Sequence, residues 1–132
     1  MSTALKIESD RVHVPGRARG PRSVRVALAG CGTVGGELVR MLHHGAAEAR
    51  ARHGLRFRLV RVLVAHGDRP RPDELDRALL TTDLDAFLAT DADVVVEAIG
   101  GIEPALAIAR AALSRGKRLV TANKALVAAH GP

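Results

Sequence analysis

Apolar positions along the chain recur with two different spacings, and each change of spacing marks an element. Residues 24–29 (Val-Arg-Val-Ala-Leu-Ala) form a short β-rich run that stops at Gly30, which predicts a strand. From residue 34 to about 53, Val34, Leu38, Met41 and Leu42 follow the 3.6-residue period, so a helix is expected there, ended by Gly54. Residues 57–65 (FRLVRVLVA) read as a second strand. A Gly/Pro/Arg loop over 66–72 follows, after which Asp73 is expected to cap a helix running to about Leu80.

Residues 79–82 fit a very short strand, and Asp83 is placed to cap a short helix over 84–89. Residues 94–98 (VVVEA) are apolar almost throughout, as in a strand covered on both faces, and Gly100-Gly101 breaks the run. A helix is expected over 103–114 with Pro104 in its first turn, where the missing N–H costs nothing, and Gly116 ends it. Residues 118–121 predict another strand, and residues 123–129 open a further helix. Residues 1–23 show weak periodicity, two prolines and the basic run Gly16-Arg17-Ala18-Arg19-Gly20-Pro21-Arg22. They read as a flexible leader with room for a short strand near Val12 to Val14. Strands alternating with helices imply βαβ crossovers, so residues 24–132 are expected to form one α/β domain with a doubly wound parallel sheet.

Composition agrees with a globular domain: 47% of the 132 residues are hydrophobic and 26% charged. With two Phe and neither Tyr nor Trp, the core must be built from Ala, Val and Leu. No apolar run approaches the roughly 20 residues of a membrane-spanning helix, and no signal peptide opens the chain. The single cysteine, Cys31, excludes an intrachain disulfide and fits a reducing cytoplasmic setting.

The formal charge of +6 invites a nucleic-acid reading, which its distribution opposes. Residues 1–23 carry five Lys/Arg against two acids, residues 50–71 seven Arg against one Asp, and residues 72–132 six bases against nine acids. The excess sits in the leader and around the second strand, without the aromatic platforms on which single strands stack. No nucleic-acid partner is expected. The six histidines show no metal-ligand spacing, and no metal is assigned.

Gly30-Cys31-Gly32-Thr33-Val34-Gly35 matches G-x-G-x-x-G, directly after a predicted strand and at the mouth of a predicted helix. In that context Gly30 makes the tight turn, Gly32 lets backbone approach a pyrophosphate, and Gly35 lets helix and strand lie close. The helix N-terminus then offers N–H groups to phosphate. Cys31 reads as a small filler at a variable position. The pattern points to a Rossmann-type dinucleotide site.

Cofactor choice falls at the end of the second strand, where an acid would bind the ribose hydroxyls of NAD. Here Ala65-His66-Gly67 carries no acid before Asp68, while Arg69 and Arg71 follow, so NADP is preferred, with NAD through Asp68 as the alternative. Glu97, in an apolar strand, is expected to hydrogen-bond to structure, because an unpaired buried carboxylate is costly.

Two later motifs narrow the reading. Val96-Glu97-Ala98-Ile99-Gly100-Gly101-Ile102-Glu103-Pro104-Ala105 puts two glycines at a strand's carboxyl end, and Val120-Thr121-Ala122-Asn123-Lys124-Ala125-Leu126 puts Asn and Lys at the mouth of the next. With G-C-G-T-V-G-G, these resemble the nucleotide-binding domain of homoserine dehydrogenase over residues 24–132.

The resemblance implies reversible reduction of aspartate 4-semialdehyde to homoserine with NAD(P)H, on the route to threonine and methionine. It implies Gly30, Gly32, Thr33, Val34 and Gly35 around the pyrophosphate, and Ile99, Gly100 and Gly101 along the ribose and nicotinamide. Thr121 and Asn123 would border the nicotinamide pocket, with Lys124 as the catalytic candidate beside the substrate carbonyl. Arg69 joins the cofactor set as the residue facing a 2′-phosphate. The family's substrate and dimerisation segments follow the point where this chain stops, so little turnover is expected of the 132 residues alone. Two other readings stay open: a stand-alone NAD(P)-sensing module, and the first domain of an aspartate-dehydrogenase-like enzyme.

Overall fold

The computed structural model describes residues 22–122. The expected strand near Val12, the helix over 123–129, Asn123 and Lys124 lie outside the described residues. Strand β1 (Arg22–Ala29) leads through the glycine turn into helices α1 (Thr33–His44) and α2 (Ala46–His53), then into β2 (Leu55–Leu63). A loop and a 3-10 turn (Arg77–Leu79) precede β3 (Leu80–Thr81), α3 (Leu84–Leu88), β4 (Val94–Glu97), α4 (Ala105–Ser114) and β5 (Arg118–Thr121).

The five strands form one parallel sheet in the order β3-β2-β1-β4-β5. The chain therefore winds outward from β1 to β3, returns across β1, and winds the other way through β4 and β5. Helices cover both faces, which is the expected α/β doubly wound, Rossmann-type architecture.

Strand periodicity sorts the core. Val24, Val26 and Leu28 of β1, with Val94 and Val96 of β4, pack on one face against Leu38 and Val39 of α1. Their alternates Ala27, Ala29 and Val95 pack on the other against Phe87 of α3 and Ile108 and Ala112 of α4. Alanine in β1 leaves room on this face for the bulk of Phe87 and Ile108 from the second helix layer. A register shift between Val26 and Ala27 in the β1–β2 ladder lets Leu59 and Arg61 pair with these successive residues. At the opposite end of the sheet from the glycine turn, Arg25 ties β1 to the start of β4. Its backbone N–H donates to Asp93 Oδ2 at 2.8 Å and its guanidinium to Asp93 Oδ1 at 3.0 Å and Asp91 Oδ2 at 2.6 Å. These bonds hold the Asp93 carboxyl below the usual carboxylate range and raise the guanidinium's proton affinity.

Five expectations are corrected, the first being that the second strand runs Leu55–Leu63 rather than 57–65. The first strand starts at Arg22, not Val24, because Arg22 N–H donates to Gly54 O at 2.7 Å and extends the ladder through polar residues. The single helix expected over 34–53 is two, α1 and α2, meeting at Gly45, whose N–H closes on Met41 O. Gly54 does end the second in the left-handed conformation, with φ 63°. The helix expected over 73–80 does not form. Asp76 rather than Asp73 caps the local structure, accepting from Ala78 N in a three-residue 3-10 turn. Finally, α4 starts at Ala105, after Pro104. Asp83 caps α3 as expected, accepting from Asp85 N and Ala86 N.

Candidate functional site

The winding reverses between β1 and β4, and both strands end in glycine-bearing loops there. That crevice is where open parallel sheets take ligands. Gly30 turns the chain with φ 96°, and its N–H donates to Leu63 O at 2.8 Å. A Cβ on Gly30 would meet Ala98 O at 2.8 Å, so the two loops touch through glycine. By contrast, a Cβ on Gly32 would meet nothing within 4 Å, since this residue faces open space. Gly32 is also the N-cap of α1, without a side-chain cap and with no acid in the first turn. The first-turn N–H groups are thereby left to an anionic ligand.

A cleft of about 450 Å³ opens beside this turn. Gly30, Gly32, Ile99 and Gly100 line it together with Val64, His66, Arg69 and Arg71. Its size suits a bound small molecule. Thr33 and Val34 stand exposed on the first turn of α1, and Gly35 is buried beneath them. Gly101, with φ 84°, lies just past the lining residues. Arg71 is committed to structure: Nη1 donates to Cys31 O at 2.9 Å and Nη2 to His66 O at 2.5 Å. The Arg69 side chain has no hydrogen-bond or ion-pair partner among the described residues. Asp68 is exposed and does not line the cleft.

Glu97 is wholly buried at the end of β4. Oε2 accepts from Ile99 N at 2.6 Å and Oε1 accepts from the Thr121 hydroxyl at 2.6 Å. The structural role expected for it is met, and it clamps the loop that carries Ile99 to the end of β5. The same bond turns the Thr121 hydroxyl toward Glu97, and Thr121 does not line the cleft. Cys31 is buried under the glycine turn, and burial pushes its thiol up against the opposing pull of Arg71, as befits a filler. Among the described residues, no three His, Cys, Asp or Glu side chains gather as metal ligands, and no helix is long and apolar enough to cross a membrane.

Sequence reading missed Thr82 and Pro104 in the cleft wall. Pro104 stood in the Gly-Gly-Ile-Glu-Pro motif and was visible. Thr82 was not, since only the chain's route after β3 brings it close.

The fold, the glycine turn and the cleft define a dinucleotide-binding domain of the Rossmann type. Residues 30–132 match the family model described as homoserine dehydrogenase, NAD binding domain, and the chain belongs to that family. Homoserine dehydrogenase of Corynebacterium glutamicum is 43% identical over 117 residues, covering 88% of this chain and 26% of that protein. The Synechocystis homoserine dehydrogenase is 38% identical over 112 residues, 83% of this chain and 25% of its own length. Among solved structures, a homoserine dehydrogenase from Thiobacillus denitrificans superposes with a TM-score of 0.74 at 38% identity, over 86% of this chain and 26% of that one. That of S. aureus at pH 7.5 gives 0.77 at 32% identity, over 83% and 28%. The chain spans about a quarter of the length of these relatives.

Proposed function

We propose that this chain is the cofactor-binding portion of a homoserine dehydrogenase, interconverting aspartate 4-semialdehyde and homoserine with NADP in preference to NAD. The observation that carries the reading is the cleft at the β1–β4 reversal, whose lining includes both the open glycine turn and Arg69. When bound, the nicotinamide supplies hydride chemistry. The chain's own residues hold and orient it. Gly30, Gly32 and Gly35 with the first turn of α1, including Thr33 and Val34, receive the pyrophosphate, and Arg69 receives the 2′-phosphate.

Ile99, Gly100 and Gly101 pass beside the ribose and nicotinamide, while Thr121 and Asn123 border the ring. Lys124 polarises the substrate carbonyl. In this reading Arg69, on the loop after β2, serves a cofactor phosphate rather than nucleic acid, and the protein works in the cytoplasm as a homo-oligomer.

The test is a titration of the 132-residue polypeptide with NADPH and NADH, followed by nicotinamide fluorescence, which the absence of Trp and Tyr leaves free of protein emission. NADPH is expected to bind more tightly, with homoserine-dependent NADP reduction at background. Failure of a folded sample to bind either cofactor would sink the proposal, and tighter NADH binding would overturn the NADP preference.

A further inference from the structure

The loop that carries Arg69 is held from outside the cleft. Arg77 sits on the 3-10 turn, a platform capped by Asp76 and anchored through Leu79 and Leu80 against the core. From there Nη2 donates to Gly67 O at 2.8 Å, and both Nη atoms lie 3.5 Å from Arg69 O. Arg71 takes His66 O in the same loop. Three of the four carbonyls from residue 66 to residue 69 are thus turned onto guanidinium groups. A phosphate approaching the loop therefore meets carbonyl dipoles already neutralised by cations. The Arg69 side chain stands in the cleft wall, and Asp68, the acid suited to ribose hydroxyls, stands outside it.

We infer that Arg77 is a positioning residue for cofactor choice, fixing the loop so that Arg69 faces the ligand and Asp68 does not. The inference rests on the reading of Arg69 as the 2′-phosphate partner, and it extends specificity to a residue that does not line the cleft. An exposed arginine binding main-chain carbonyls has no sequence signature, so no motif reveals it.

Binding of NADPH and NADH to Arg77→Ala, Arg77→Lys and Arg69→Ala decides it, with a thermal melt of each variant to establish folding. Arg77→Ala is expected to weaken NADPH binding five-fold or more and NADH binding less than two-fold. Arg77→Lys, whose ammonium reaches fewer carbonyls, should fall between Ala and the parent. Equal weakening of both cofactors, or an unchanged preference in both Arg77 variants while Arg69→Ala lowers it, overturns the inference and spares the Arg69 reading. An unchanged preference in Arg69→Ala removes the underlying reading and this inference with it. Should Arg77→Ala fail to fold, Arg77→Lys carries the comparison alone.

Discussion

Gly35 lies so close under Gly30 that a Cβ on Gly35 would stand 2.0 Å from the Gly30 carbonyl oxygen. No rotamer relieves a backbone collision of that kind. Gly35→Ala must therefore push α1 away from β1, at a cost of about 3 kcal/mol or more. Gly32→Ala offers the control, because its Cβ enters open space. We expect Gly32→Ala to stay within about 1 kcal/mol of the parent in urea unfolding, yet to bind NADPH more weakly by occupying the approach to the turn. Equal stability of the two variants would contradict this division of labour.

The Glu97 clamp predicts a graded series. Gln at this position keeps an acceptor for Ile99 N–H, and its amide can donate to the Thr121 oxygen, so Glu97→Gln should lose about 1 to 2 kcal/mol. Glu97→Ala removes both bonds and leaves a cavity in place of a wholly buried side chain, and should lose about 3 kcal/mol or more. Chemical denaturation of the pair checks the order. An alanine variant as stable as the glutamine variant would show that the clamp contributes little.

The Arg25–Asp93 contact sets a dependence on acid. Asp93 is held below its ordinary value of 3.8, chiefly by its hydrogen bond with Arg25, so the folded state favours the ionised form. Its contribution is complete above that ordinary value and is lost as pH falls through the depressed one. Both partners are over a third exposed, so the effect is small, under about 1 kcal/mol. Asp93→Asn should flatten the fall in stability below about pH 4 and lower stability at pH 7. Parallel acid-limb slopes for parent and variant would refute the assignment.

Cys31 predicts slow alkylation. Its thiol is buried and raised by burial, so iodoacetamide should label it far faster in unfolding concentrations of urea than in buffer. Labelling in buffer as fast as that of a free thiol would mean that the glycine turn opens readily.

The strands and the parallel, doubly wound sheet were largely legible, because VRVALA, FRLVRVLVA and VVVEA carry the buried aliphatics of a sheet covered on both faces; the strand order was not. The extra residues of β1 were not, since Arg22 and Ser23 join the ladder through backbone bonds that apolar periodicity does not register. The break at Gly45 was hidden because the good helix formers Leu38, Arg40, Met41 and Leu42 before it and the Ala-rich stretch after it sustain helix propensity across it. The 73–80 misreading has a different cause: Asp73 and Asp76 are both good caps, and burial of Leu75 and Leu79 chose between them. In the site, the glycines and Arg69 were readable from motif and spacing. The Thr121 half of the Glu97 clamp and the carbonyl-holding role of Arg77 depend on pairings 24 and 8 to 10 residues apart, which no local pattern encodes.

The brevity of β3 reaches beyond the cleft. It pairs only with Val62 and Leu63, so the outer border of β2 from Leu55 to Arg61 has no strand partner among the described residues. An unpaired strand border is the kind of edge that can recruit a foreign strand. Exposed Arg56 and Arg58 stand on that border and oppose such stacking through bulk and like-charge repulsion. Arg56 and Arg58 thus give part of the positive charge around the second strand a use apart from any ligand, in opposing edge-to-edge association.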